Sequence, residues 1–195
     1  MTTSKRTHTV SIRYGIYEFY DLELPIEEVA PGIHLAVFNP RGDWLTCERA
    51  GKGLARILPQ GTEILVMPAG KAEAILHVVG RESGLGTVVA PKEKKGYMGE
   101  CLETFLSSIT SGDKTASGDA RKLYLPKNDA NRICGRKVVV VDDVVSTGGS
   151  LEATKRLIEM AGGIYHGAVA VFSEGKTRND VQTLGHLPLH SPPCG

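Results

Sequence analysis

The chain has no surplus of positive charge: 23 lysines and arginines stand against 22 acidic residues, a formal net charge of +1. It therefore lacks the broad basic footprint that nucleic-acid binding requires, and no nucleic-acid partner is expected. No stretch approaches the roughly 20 apolar residues of a membrane-spanning helix. The opening MTTSKRTHTVSIRYG has no apolar centre of the kind a secretory signal needs. Cys47, Cys101, Cys134 and Cys194 fall at no CxxC spacing, and no nearby histidine completes a zinc pattern. There is also no Asn-x-Ser/Thr acceptor, internal repeat, heptad array or low-complexity tract. These absences lead to the expectation of a cytoplasmic chain in a reducing compartment, with no membrane partner. At 195 residues it fits a single domain over 1–195. A chain of that size buries roughly 70% of its unfolded surface without needing a staple.

What is present is an alternation of short apolar runs with helical patterns. The runs Ile33 to Phe38, Glu63 to Met67, Thr87 to Ala90, Lys137 to Val141 and Tyr165 to Phe172 read as strands. Val138 to Val141 shows no polar alternation, which suits a strand covered on both faces of a parallel sheet. Leu151, Thr154, Leu157, Ile158 and Ala161 recur at helical spacing, and Gly162 and Gly163 end that helix. Ala72 to Val79, closed by Gly80, and Trp44 to Leu58, weakened by Gly51 and Gly53, are further helix candidates. The fold class is thus α/β, an open and mostly parallel sheet of about five strands with flanking helices. Pro91 to Leu125 is long for a connection in a compact domain and reads as a functional segment. Within it Lys122 to Leu125 suits an extra strand, and Cys101 to Ile109 is either helix or strand. Residues 14–31 and 180–195 stand outside the alternation.

The sharpest chemical signal is VVVVDDVVSTGGS, Val138 to Ser150. A buried strand delivers Asp142 and Asp143 to its carboxyl end, where open α/β sheets bind ligands. Val145, Ser146, Thr147, Gly148, Gly149 and Ser150 then present hydroxyls and open backbone N–H groups just before a helix. That arrangement holds a phosphate monoester. The adjacent carboxylates would repel a phosphate but can accept hydrogen bonds from vicinal ribose hydroxyls. The plainer reading is an acidic turn with Ser150 capping the helix, but it leaves the coincidence of acids, Thr-Gly-Gly and helix start unexplained. Two other phosphate motifs fail. Gly175, Lys176 and Thr177 lack the first P-loop glycine, which is Ala170, and Gly51-Lys52-Gly53 has Arg56 at the third glycine of a dinucleotide fingerprint.

The Val138 to Ser150 segment resembles the PRPP-binding signature of type I phosphoribosyltransferases, where PRPP is 5-phosphoribosyl-1-pyrophosphate. Tyr97-Met98, Ser108 to Thr110, Ala161 to Gly163, Glu174-Gly175 and Leu187 to Leu189 are similar to the adenine phosphoribosyltransferase-like branch. By this resemblance Asp142 and Asp143 are the catalytic ribose-holding acids, and 145–150 bind the 5-phosphate. Ala69, Gly70, Lys71 and Ala72 form the pyrophosphate loop, and Lys92, Lys95 and Tyr97 belong to a flexible flap. Mg²⁺ is the implied cofactor, held mainly by substrate near Asp142 and Asp143, with no direct protein ligand assigned. A homodimer is implied, as is a small hood from about 14–31 and 180–195 that grips the base. Phe19, Tyr20 and Phe172 are stacking or core aromatics. Glu100, Glu103 and Glu174 are the carboxylates available for the base's proton. Branch relatives often carry Glu at Ala69 and Arg-Lys at Pro91-Lys92. The implied reaction moves the ribose 5-phosphate of PRPP onto a purine, adenine first, in purine salvage. Transfer to xanthine, guanine or orotate, or a non-catalytic PRPP-binding regulator, are the alternatives.

Overall fold

The computed structural model describes residues 6–106, 121–176 and 178–190. Ser108 to Thr110, Cys194 and Thr177 lie outside them. The elements run β1 (Thr7–Arg13), β2 (Phe19–Ala30), β3 (Ile33–Ala36), α1 (Trp44–Arg56), β4 (Ile64–Pro68), α2 (Glu73–Ser83), β5 (Gly86–Ala90), β6 (Cys101–Phe105), β7 (Lys122–Pro126), α3 (Lys127–Ile133), β8 (Lys137–Val145), α4 (Gly149–Met160), β9 (Ile164–Glu174) and β10 (Gln182–Leu187). A single 3₁₀ turn, Gly96–Met98, precedes β6.

Five strands form one all-parallel sheet in the order β10-β9-β8-β4-β5. The alternating registers of β4 and β8 explain their apolar runs. Ile64, Val66, Val138 and Val140 enter a core with Leu151, Leu157 and Ile158 of α4. Leu65, Met67, Val139 and Val141 enter the opposite core with Leu54 of α1 and Ile75 of α2. Each fully buried branched side chain contributes roughly 1.5–3 kcal/mol, so a strand apolar on both faces is held from both sides.

The sheet's membership differs from the expectation at two strands. Ile33–Ala36 does not join it; β3 pairs antiparallel with β2, which pairs antiparallel with β1 in a separate three-stranded sheet. Its place is taken by β10, which lies in the tail read from sequence as hood. Cys101–Phe105 is a strand rather than a helix, and with β7 it forms a two-stranded antiparallel ribbon. The helix expected to stop at Gly80 runs on to Ser83 and ends at Gly84, whose φ of +70° closes it in left-handed geometry. Gly80 is a contact glycine instead: a Cβ there would lie 2.6 Å from Thr87 Cγ2 on β5.

Among strands taken in chain order the sheet reads 2-1-3-4-5, so its strand order reverses between β4 and β8. Those two strands pair only from Ile64/Val138 to Val66/Val140. Beyond that point β8 stays with β9 as far as Val145↔Ser173, while β4 stays with β5 as far as Pro68↔Ala90. A crevice therefore opens at the carboxyl edge, and Asp142 and Asp143 lie on its β8 wall.

Candidate functional site

Asp142 and Asp143 lie near the carboxyl end of β8, which runs on past the expected turn start at Val144 to Val145. Each carboxylate accepts from the next backbone N–H, at 2.9 Å for Asp143 N to Asp142 Oδ1 and 2.8 Å for Val144 N to Asp143 Oδ1. Burial raises the Asp142 carboxyl well above the ordinary aspartate range, and the neighbouring Asp143 adds to the shift. The positive charge of Lys92 opposes it, so the segment after β5 brings a lysine within electrostatic reach of the acidic pair.

The connection from β8 to α4 is Ser146 to Gly148. Val145 itself is buried in the core, which leaves only its backbone for a ligand. Gly148 is the α4 N-cap with φ of +83°, a conformation that suits glycine, and no side chain caps this end. Ser150 therefore does not act as the cap. Among the described residues, the backbone N–H groups of Ser146, Thr147 and Gly148 donate to no backbone carbonyl. Together with the positive end of the α4 dipole they form a donor-rich turn suited to an anion.

The turn after β4 faces this one across the crevice. Ala69 N donates to Ala90 O at 2.8 Å, and Ala72 is buried at the start of α2. Lys71 Nζ donates to Phe38 O at 3.1 Å, and Arg41 donates to Gly70 O at 3.3 Å. Arg41 was not singled out in the sequence, since it lies 29 residues upstream in a loop with no motif. Glu174, at the end of β9, joins the two turns. Burial raises its carboxyl, while a hydrogen bond from Ser146 and the charge of Lys71 pull it back down. Of the three carboxylates offered for proton handling, Glu174 is the one brought to the crevice. Glu100, just before β6, pairs with Lys127 of α3 at 2.7 Å, and Glu103 of β6 pairs with Lys122 of β7 at 2.6 Å.

The remaining flap residues are less concentrated. Lys95 pairs with Glu93 at 2.5 Å, and Tyr97 is 86% exposed. Phe172 is fully buried, edge-on to Phe38 with ring centroids 5.0 Å apart, and so belongs to the core. Tyr20 is covered by the Arg49 guanidinium, 4.2 Å from its ring centre, and Phe19 is exposed. Among the described residues no group of three or more His, Cys, Asp or Glu could cage a metal. The acidic pair nevertheless fits a cation that brings its other ligands with it, since positive charge would relieve the repulsion that raises Asp142.

Residues 75–183 match the family described as the phosphoribosyl transferase domain. The adenine phosphoribosyltransferase of Rhodococcus opacus is 32% identical over 130 residues, 67% of this chain and 67% of that protein. That of Rhodococcus jostii is 36% identical over 113 residues, 58% of each. The chain's match thus spans between about three fifths and two thirds of these curated relatives. A solved adenine phosphoribosyltransferase from Saccharomyces cerevisiae, in complex with an imino-altritol bisphosphate and adenine, superposes with a TM-score of 0.56 at 21% identity. It covers 91% of this chain and 93% of that one, and at this identity the likeness is one of fold.

Proposed function

Because this chain belongs to the phosphoribosyltransferase family, we propose that it transfers the ribose 5-phosphate of PRPP to a purine, adenine first, with release of pyrophosphate. The observation that carries this reading is the crevice between β4 and β8. It sets a donor-rich turn, an acidic pair and a lysine-bearing turn side by side, in the order that phosphate, ribose and pyrophosphate occupy in PRPP. Adenine is favoured by the two Rhodococcus relatives, both adenine phosphoribosyltransferases by name.

In this reading, Ser146 to Ser150 receive the 5-phosphate, and Asp142 and Asp143 accept hydrogen bonds from the ribose hydroxyls. A ring nitrogen of the base displaces pyrophosphate from the anomeric carbon. Positive charge grows on the ribose as the bond to pyrophosphate breaks, and the two carboxylates stabilise it electrostatically. Lys71, with the backbone of Ala69 to Ala72, holds the departing pyrophosphate, and Arg41 adds a second cation beside Gly70. Mg²⁺ carried in on PRPP would neutralise pyrophosphate oxygens near Asp142 and Asp143. The segment from Lys92 to Tyr97 closes over the reactants and excludes water. The base enters a cavity of about 330 Å³ bordered by Leu22, Leu24, Val37, Phe38 and Pro40. That cavity adjoins the pyrophosphate turn through Phe38, whose carbonyl holds Lys71. The three-stranded sheet β1–β3 serves as the hood. Exposed Ile16, Tyr17 and Phe19 at its tip are apolar surface for a second copy in a homodimer. A purine-salvage enzyme of this kind would work in the cytoplasm; among the described residues no helix is long and apolar enough to cross a membrane.

The test is pyrophosphate release from PRPP with Mg²⁺, run separately with adenine, guanine, hypoxanthine, xanthine and orotate. Release with adenine alone is the expected result. Release with another base instead would reassign the acceptor. Silence with all five, alongside calorimetric PRPP binding, would replace the enzyme with a PRPP-binding regulator, a reading that Ala69 and Pro91 keep in view.

A further inference from the structure

The segment Gly175 to Lys176, which fails as a P-loop, leads directly into an arginine that holds the phosphate turn from outside. Arg178 uses its rigid fork in two directions. Nε and Nη2 donate to the two oxygens of Asp180, at 3.0 and 2.6 Å, while Nη1 donates to the carbonyl of Thr147 at 3.0 Å. The guanidinium also lies flat against Gly148, where a Cβ would come within 2.3 Å of Nη1. Arg178 is only partly exposed, its side chain at 22%, so water competes weakly for these bonds.

A trans peptide points its carbonyl and the following N–H in opposite directions. With the Thr147 carbonyl turned to Arg178, the N–H of Gly148 is turned away from it. Among the described residues no other hydrogen bond holds that plane. Gly148 and Gly149 both accept either sign of φ, and the α4 N-cap has no side-chain bond. Left alone, the peptide between Thr147 and Gly148 has other orientations within easy reach, including ones that aim an oxygen, not a proton, at an arriving phosphate.

We propose that Arg178, held in place by Asp180, is a positioning residue that presets the Thr147–Gly148 peptide so that the Gly148 N–H faces the 5-phosphate. The inference rests on the phosphoribosyltransferase reading and assigns it a residue that lies in no recognisable motif. Arg178 need not touch the substrate. Its effect falls on the phosphate end alone, because the Lys71 turn is built from other segments.

Calorimetric titration with ribose 5-phosphate and, separately, with pyrophosphate distinguishes this role from general support of the fold. Arg178→Gln is expected to weaken ribose 5-phosphate binding by about ten- to hundredfold, the loss of one charge-assisted hydrogen bond. Pyrophosphate affinity is expected to stay within about twofold of wild type, because the hydrogen bonds of Arg178 go to Asp180 and Thr147 and not to the Lys71 turn. Arg178→Lys, which can still reach the Thr147 carbonyl but cannot fork to Asp180, should fall between. Asp180→Asn should weaken ribose 5-phosphate in the same direction without moving pyrophosphate, and it carries the comparison if Arg178→Gln does not fold. Equal loss for both ligands, or no loss for ribose 5-phosphate in a folded variant, overturns the proposal. Failure of the wild-type protein to bind ribose 5-phosphate would instead overturn the phosphoribosyltransferase reading, and this inference with it.

Discussion

Asp142 and Asp143 oppose each other in the free protein. Burial and the adjacent charge hold Asp142 above the ordinary aspartate range. A carboxyl raised in this way contributes stability below its ordinary value and loses it as pH rises through the raised one. At neutral pH the pair therefore costs stability, which a bound cation or ribose would return. Asp142→Asn keeps the acceptor for the Asp143 N–H and removes the repulsion, so it should raise the melting temperature at pH 7 to 8. The same change should lower turnover at least about a hundredfold by removing charge from the ribose side. Asp143→Ala should abolish turnover while the chain stays folded, checked by circular dichroism beside the rate. Gly148 is constrained in another way. Ala at that position meets both a left-handed φ and the Arg178 guanidinium. Gly148→Ala should cost about 1–2 kcal/mol in urea unfolding and weaken PRPP binding more than pyrophosphate binding.

Among the elements, β8 was the most legible in the sequence and β10 the least, for one physical reason. Val138 to Val141 is buried on both faces and has no other use for its residues, so its run is unbroken. Gln182–Leu187 is an edge strand with mixed burial and a glycine, Gly185, seated against the Phe172 ring. A glycine required by a neighbouring aromatic looks like a break when read alone. Gly80 misled in the same way, since its contact with β5 belongs to tertiary structure. The acidic pair and the Thr-Gly-Gly turn were legible because their chemistry is consecutive in the chain. Arg41, Arg178 and the approach of Glu174 to Lys71 were not, since each is made by segments distant in sequence. The tail beyond β10 shows a further junction of this kind. His190 N donates to His34 O at 3.0 Å, and its ring meets His8 edge-on at 5.0 Å. Among the described residues its Nε2 is buried without a partner, and burial, followed by His8, Arg6 and His34, lowers its pKa below 6.5. A histidine lowered on folding contributes stability above its ordinary value and loses it as pH falls through the folded one. The junction between tail and β3 should therefore loosen as pH falls below the ordinary histidine value, about 6.5, read as faster amide exchange at His190. In His190→Phe that pH dependence should disappear; its persistence would place the titration elsewhere.

At the scale of the molecule, an all-parallel sheet sends every connection that matters to one edge. The turns after β4 and β8, the segment after β5 and the connection after β9 all leave from the carboxyl ends of their strands. Four remote stretches of chain can thus serve one small substrate. The hood tip bearing Ile16, Tyr17 and Phe19 lies outside this arrangement and is proposed to be covered by a second copy. Sedimentation should give twice the 20.9 kDa of one chain, and Tyr17→Glu should shift it toward the single-chain mass; a wild-type mass of one chain would contradict the dimer. The central claim is chemical, however, and one measurement addresses it directly: AMP formation from adenine and PRPP with Mg²⁺, followed side by side for wild type and Asp143→Ala. The account predicts steady AMP formation by wild type and none by the variant. AMP formed at equal rates by both, or by neither, would contradict it.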